Sequence, residues 1–180
     1  MDYISPTQVN ALVPSNVGAG PQQVTVSSPT GVSSPFTVTV NATQPGLLAP
    51  TSFILNGTPY VVALFTDGTY VLPVGAIAGI NSRPARPGDV IVLYGVGFGP
   101  VTPNIAAGQV VEQSNSIASG LEISIGGQVA STPYNGLAFN YTGLYQFNVT
   151  VPQVAPGNLP LTFSLGGVPG TQTLNIAIGQ

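Results

Sequence analysis

Leu121-Glu122-Ile123-Ser124-Ile125-Gly126-Gly127-Gln128-Val129-Ala130-Ser131-Thr132 reads as two strands joined by a turn. Apolar and polar residues alternate on both sides of the glycine pair. Gly126-Gly127 accepts the left-handed backbone that a two-residue hairpin turn requires. The same reading repeats along the chain. Phe53-Ile54-Leu55 runs into Asn56-Gly57, Thr58 to Phe65 follows, and Asp67-Gly68 turns the chain into Thr69 to Leu72. Residues 52–73 are therefore expected to form a three-strand meander. Leu161 to Leu165 and Thr171 to Ile178 make a further pair through Gly166-Gly167 and Pro169-Gly170. No window carries a helical period, and 23 Gly and 18 Pro spread through 180 residues leave helices little room. The expected class is all-β, built as sandwiches.

An internal repeat sets the expected domain plan. Gln8-Val9-Asn10-Ala11-Leu12-Val13-Pro14 matches Gln146-Phe147-Asn148-Val149-Thr150-Val151-Pro152. Gly20 then matches Gly157, and Val24-Thr25-Val26 matches Leu161-Thr162-Phe163. Gly31-Val32 matches Gly167-Val168, and Thr37-Val38-Thr39-Val40 matches Thr173-Leu174-Asn175-Ile176. Apolar residues keep their phase, so both copies are expected to bury the same faces. Further strands, from Arg83 to Tyr141, precede the second copy; only the seven residues Met1 to Thr7 precede the first. The expected plan is an incomplete sandwich over residues 1–45, its second half only, a linking β-meander over 46–82, and a complete sandwich over 83–180. The chain thus opens in the middle of a sandwich. Its first strands lack the sheet they should pack on, and a sheet with one bare apolar face is not stable alone.

Charge narrows the function. Only Asp2, Asp67, Asp89, Glu112, Glu122, Arg83 and Arg86 are charged, the formal net charge is −3, and there is no Lys, His or Cys. Globular domains are usually about a quarter charged. Acid–base catalysis, activated nucleophiles and metal cages need groups that are nearly absent, so a non-enzymatic protein without cofactor or metal is expected. Two arginines cannot track a phosphate backbone or an anionic lipid surface, so no nucleic acid is expected as partner. Mean hydropathy is positive at +0.39. No apolar run is long enough for a helical span, and prolines inside or beside apolar runs count against a membrane barrel, so no membrane insertion is expected. Met1-Asp2-Tyr3-Ile4 has neither the basic segment nor the apolar core of a signal peptide. That start reads as a leader already removed or as an excerpt of a longer chain.

Pro87-Gly88-Asp89-Val90-Ile91-Val92-Leu93-Tyr94-Gly95-Val96-Gly97-Phe98-Gly99-Pro100 resembles the opening of an IPT/TIG immunoglobulin-like domain: a Pro-Gly turn, a strand, then a glycine-rich corner with Phe. Ile123 to Ala130 is similar to that family's Ile-Gly-Gly hairpin, and Gly143 to Pro152 to its following strand and corner. Tyr3 to Val13, Pro45-Gly46-Leu47, Asp67-Gly68, Arg86 to Gly99 and Gly143 to Pro152 come in the order of one group within it. That group is the uncharacterised C-terminal domain of long secreted proteins of Solibacter-type acidobacteria. The resemblance implies a bacterial, extracellular or cell-surface location, immunoglobulin-like sandwiches and no known enzyme activity.

Each candidate site has a structural competitor. Gly95-x-Gly97-x-Gly99 could cradle phosphate only if a helix followed, and Pro100, Thr102 and Pro103 follow instead, so a sandwich corner is expected. Glu112 and Glu122 are the one carboxylate pair not explained by turns or termini, and no apolar pocket frames them. No three carboxylates cluster for calcium. Arg83 and Arg86 are expected in a junction contact with Asp89. Most of the seven Tyr and seven Phe alternate within strands as core; Tyr134, Phe139 and Tyr141, in a loop-rich stretch, are the candidate surface-binding aromatics. Asn41, Asn56, Asn140 and Asn148 open Asn-x-Ser/Thr triplets, candidate glycosylation sites that chance also supplies in such a composition.

Sheets guard their edges with Lys, inward charges or covering segments, and this chain has almost no charge for the purpose. Two expectations follow. In one, the chain is a subunit that self-assembles by strand complementation into a surface filament or array, its partners being copies of itself or neighbouring domains of a parent chain. In the other, it is an adhesive or glycan-binding module.

Overall fold

The computed structural model describes residues 3–180; Met1 and the charged Asp2 lie outside that range. The described chain is all-β, with one 3-10 turn at Thr51–Phe53 and no α-helix. Six short strands come first: β1 (Tyr3–Ile4), β2 (Val9–Asn10), β3 (Gly20–Val24), β4 (Ser27–Ser28), β5 (Gly31–Val32) and β6 (Phe36–Val40). β7 (Gly46–Leu47), β8 (Ile54–Leu55), β9 (Thr58–Pro59), β10 (Ala63–Leu64), β11 (Tyr70–Val71) and β12 (Ser82–Arg83) follow. The remainder holds β13 (Val90–Val96), β14 (Val101–Thr102), β15 (Ser116–Ile117), β16 (Leu121–Ile125), β17 (Gln128–Leu137), β18 (Tyr145–Thr150), β19 (Gly157–Leu165), β20 (Val168–Pro169) and β21 (Leu174–Ile178).

Turn chemistry sets the strand ends. Gly126 and Gly127 have φ of 58° and 78°, and Asn56 and Gly57 have 50° and 82°, so both hairpins turn on left-handed pairs. The Asp67-Gly68 turn differs from expectation, because only Gly68 is left-handed. Gly68 N–H donates to the Phe65 carbonyl at 3.0 Å and Phe65 N–H to the Thr69 carbonyl at 2.8 Å, a longer loop closed by one bulged glycine. The strand expected over Thr58 to Phe65 also divides, into β9 and β10. Between them Val61 N–H leaves the hairpin and donates to the Asn175 carbonyl at 3.1 Å.

Eleven strands form one mixed sheet, ordered β12-β11-β10-β13-β18-β17-β16-β19-β20, with β7 on β13 and β21 on β19. Only β11 and β12 run parallel within it. β17 joins its halves. Gln128 to Ala130 pair with β16, Ser131 to Leu137 pair with β18, and the register shifts between Ser131 and Tyr134. Pro133 sits in that shift, where a residue without an N–H costs no ladder bond. Both halves turn alternate residues inward: Ile91, Leu93, Phe147 and Val149 from one, Ile123, Ile125, Leu161, Phe163 and Ile176 from the other, all in one cluster. The arrangement is sandwich-like. Leu47, Val61, Ala63, Phe65 and Val71 belong to the same cluster, so residues 46–82 share a core with residues 83–180. Phe98 is fully buried at its centre, its ring 4.8 Å from Phe147, 5.4 Å from Phe163 and 5.5 Å from Tyr145.

Candidate functional site

The two sequence repeats fold alike and are buried differently. β3 pairs with β6, placing Gly20 opposite Val40 and Val24 opposite Phe36. β19 pairs with β21, placing Gly157 opposite Ile178 and Leu161 opposite Leu174. Ser33 N–H donates to the Val26 carbonyl at 2.9 Å, and Gly170 N–H donates to the Phe163 carbonyl at 2.8 Å. Val24, Val26, Phe36, Val38 and Val40 thus stand where Leu161, Phe163, Leu174, Ile176 and Ile178 stand. The last strand aligns two residues away from the match read in the sequence, which had set Val38 against Leu174. An even slip preserves the face.

In the second repeat that face is core; in the first it is open. Leu161, Phe163 and Leu174 are 1%, 6% and 4% exposed, and Val24, Val26 and Phe36 are 46%, 52% and 71% exposed. None of residues 3–45 is buried, and neither core cluster includes one of them. The opposite face is polar, with Gln23 Nε2 donating to Thr37 Oγ1 at 2.8 Å. β3 and β6 therefore make a two-sided ribbon with one unsatisfied apolar side. In the second repeat β16 pairs along the other edge of β19, from Leu121 opposite Leu165 to Ile125 opposite Leu161. Among the described residues no strand occupies the corresponding edge of β3 and β4.

The junction to the core is closely fitted. The Gly95-x-Gly97-x-Gly99 segment is followed by β14 and serves as a corner that admits residues 42–46. A Cβ on Gly95 would lie 2.8 Å from the Gly46 carbonyl oxygen, and one on Gly97 would run into the Gln44 carbonyl. Gln172 braces the next residue: Leu47 N–H donates to its Oε1 at 2.7 Å, and its Nε2 donates to the Leu47 carbonyl at 2.9 Å.

Two of the three candidate aromatics meet in one place. Tyr134 and Phe139 line an open cleft of about 290 Å³ with Gln113, Ser114, Gln146 and Asn148. Tyr134 lies within β17 rather than in a loop, and Tyr141 is exposed outside this lining. The Tyr134 hydroxyl is engaged internally, donating to the Leu137 carbonyl at 2.6 Å. Buried Asn115 completes the support: Leu137 N–H donates to its Oδ1 at 2.7 Å and its Nδ2 to the Leu137 carbonyl at 3.2 Å. Burial pushes the Tyr134 phenol up, against a smaller lowering by Asn115. Asn115 and Gln172 carry no signal in the sequence, because an amide becomes a strand mimic only once its tertiary partners arrive.

The remaining candidates have local roles. Arg83 stacks on Phe65, its Cζ 3.4 Å from the ring centroid, and its Nη1 lies 3.5 Å from Asp89 Oδ2. Asp89 Oδ2 also accepts Arg86 N–H at 2.9 Å, and Asp67 Oδ1 accepts Thr69 N–H at 2.8 Å. That backbone bond is the main cause holding the Asp67 carboxyl below its usual range. Glu112 and Glu122 are exposed, and among the described residues no three His, Cys, Asp or Glu gather into a metal-sized group. Among those residues no helix is long and apolar enough to cross a membrane. Asn41, Asn56 and Asn140 are exposed, the last two in left-handed turn conformations; Asn148 is half-buried in β18 and accepts from Gln146 Nε2 at 2.8 Å. Compared with protein-family models, curated proteins and solved structures, the chain finds no match.

Proposed function

We propose that this chain is a non-enzymatic, extracellular structural protein, a subunit of immunoglobulin-like IPT/TIG sandwiches that self-assembles by strand complementation into a surface filament or array. The observation that carries this reading is the contrast between the repeats: the same hairpin, with the same apolar face, is core in one and open in the other. Each large apolar side chain left in water forgoes about 1.5–3 kcal/mol of burial, and a polypeptide laid over that face recovers it. Tyr3, Ile4, Val9, Val13 and Val32 add to the exposed apolar surface of the first repeat. The extracellular placement rests on the resemblance of Pro87 to Pro100 and its flanking motifs to domains of secreted bacterial proteins. Size-exclusion chromatography with light scattering tests the assembly. The expected result is a mass well above 18.2 kDa that rises with concentration. A stable 18.2 kDa species at all concentrations contradicts it.

A specific observation favours a second reading, an adhesive glycan-binding module. The cleft combines aromatic rings with the amides of Gln113, Gln146 and Asn148, and no charged residue is in its lining. Rings that stack on sugar faces beside amides that bond hydroxyls suit a neutral oligosaccharide. A glycan array tests it: neutral glycans are retained and Phe139→Ala loses them, whereas an array without signal rejects the reading.

A further inference from the structure

We propose that the open edge of β3 and β4 is self-pairing: it takes the same edge of a second copy of this chain, antiparallel, across a two-fold axis at Val26. The proposal rests on the assembly reading, because its donor is a copy of the chain. The second repeat defines the seat. There β16 lies antiparallel on β19 over five positions centred on Ile123 opposite Phe163. Val26 holds the place of Phe163. Its N–H donates to Ser33 Oγ at 3.0 Å and its carbonyl accepts from Ser33 N–H at 2.9 Å, so its backbone is turned towards β5. Neighbouring residues of a strand address opposite edges, which leaves the N–H and carbonyl groups of exposed Thr25 and Ser27 on the open side.

Pattern, charge and size select the occupant. A strand that replaces β16 needs apolar side chains at alternate positions. Val24-Thr25-Val26-Ser27-Ser28 of a second copy, turned end for end, meets that need at Val24 and Val26, the small Ser28 ending the run; it sets Val26 against Val26 and Val24 against Ser28 over the same five-residue span. Two copies with a net charge of −3 repel each other, and contact is least opposed where charge is absent. No charged residue lies between Asp2 and Asp67, so this edge also lacks the Lys or inward charge that blocks strand pairing elsewhere. The competing arrangement seats β6 of each copy on β3 of the next. Copies would then repeat every two strands, about 10 Å. A compact chain of this length is about 40 Å across, so successive copies would overlap. A two-fold contact needs no such repeat; it joins two copies into a pair, and a filament or array is built from such pairs through a further contact.

The chain contains no Cys, so one substitution reports the contact. Val26→Cys would place two thiols opposite each other in a non-hydrogen-bonded pair, with Cα atoms about 4.5 Å apart and within disulfide range. Under mild oxidation this variant is expected to shift from 18.2 kDa to twice that mass, while Val32→Cys, exposed on β5, stays at 18.2 kDa. Adding Thr25→Pro removes an N–H that faces outward only, and is expected to abolish the cross-link while the circular dichroism spectrum is kept. Hydrogen exchange of the unsubstituted chain provides a reading free of any variant, with protection of Thr25 and Ser27 rising with concentration. Light scattering is run on the same samples. Assembly without a Val26 cross-link and without protection of Thr25 and Ser27 overturns the edge pairing alone. A chain that stays monomeric, unlinked and unprotected overturns the assembly reading with it. Equal cross-linking of Val26→Cys and Val32→Cys also overturns the edge assignment.

Discussion

Asn115 shows what one buried amide does in a chain almost without charge. Its Oδ1 and Nδ2 complete both backbone groups of Leu137, and its backbone crowds Gly136, where a Cβ would lie 2.5 Å from the Asn115 carbonyl oxygen. Asn115→Ala leaves the Leu137 N–H unpaired, while the Leu137 carbonyl keeps the Tyr134 hydroxyl, and is expected to lower unfolding free energy by about 1–3 kcal/mol in urea titration. Phe98, at the meeting of three other rings, is expected to cost about 3–5 kcal/mol on truncation to Ala by the same measurement. The Phe98 corner was readable from the glycine-rich sequence around it; Asn115 was not, since Asn in a polar stretch looks like loop. Tyrosine sets the alkaline limit. Tyr145 donates its hydroxyl to the Gly99 carbonyl, and burial holds its phenol above the ordinary value. The unfolded chain therefore loses this proton first, near pH 10, and stability falls as pH rises from there through the folded value. Without His, Lys or Cys, no side chain titrates between the carboxylate and tyrosine ranges, so stability is expected to be flat across neutral pH and to drop above about pH 10. Urea titrations across pH 6–11 check this, and Tyr145→Phe should flatten part of the alkaline limb.

At the scale of strands, alternation and paired turn residues made most of the fold legible. Leu121 to Thr132 is the hairpin its pattern describes, and the repeat foretold that β3–β6 and β19–β21 are the same device. Register was less legible, because alternating Thr and Val match equally well after a slip of two residues. The division of Thr58 to Phe65 was hidden too, since Val61 is drawn to Asn175 by a contact distant in sequence. The equivalence of the two hairpins makes a paired prediction. Leu174→Ser opens a cavity and buries a hydroxyl in the core, and is expected to cost about 2–5 kcal/mol. Phe36→Ser, at the corresponding open position, is expected to leave the unfolding of the dilute chain within about 0.5 kcal/mol and to weaken association instead. Denaturant titration of both variants with light scattering separates the two effects.

At the scale of the whole molecule, a sandwich-like body spanning residues 46–180 carries a ribbon, residues 3–45, that has formed its turns and pairs but not its core. That asymmetry is the physical basis of the proposed role: among the described residues no layer covers the apolar face of the first repeat, and the proposal assigns that cover to a second copy. Hydrogen exchange read by mass spectrometry over a dilution series tests this most directly. Amides of residues 90–96, 145–150 and 157–178 should stay protected at every concentration, while those of residues 20–40 should be protected in concentrated samples and exchange rapidly in dilute ones. Protection of residues 20–40 at the lowest concentration, equal to that of the core strands, would contradict the account.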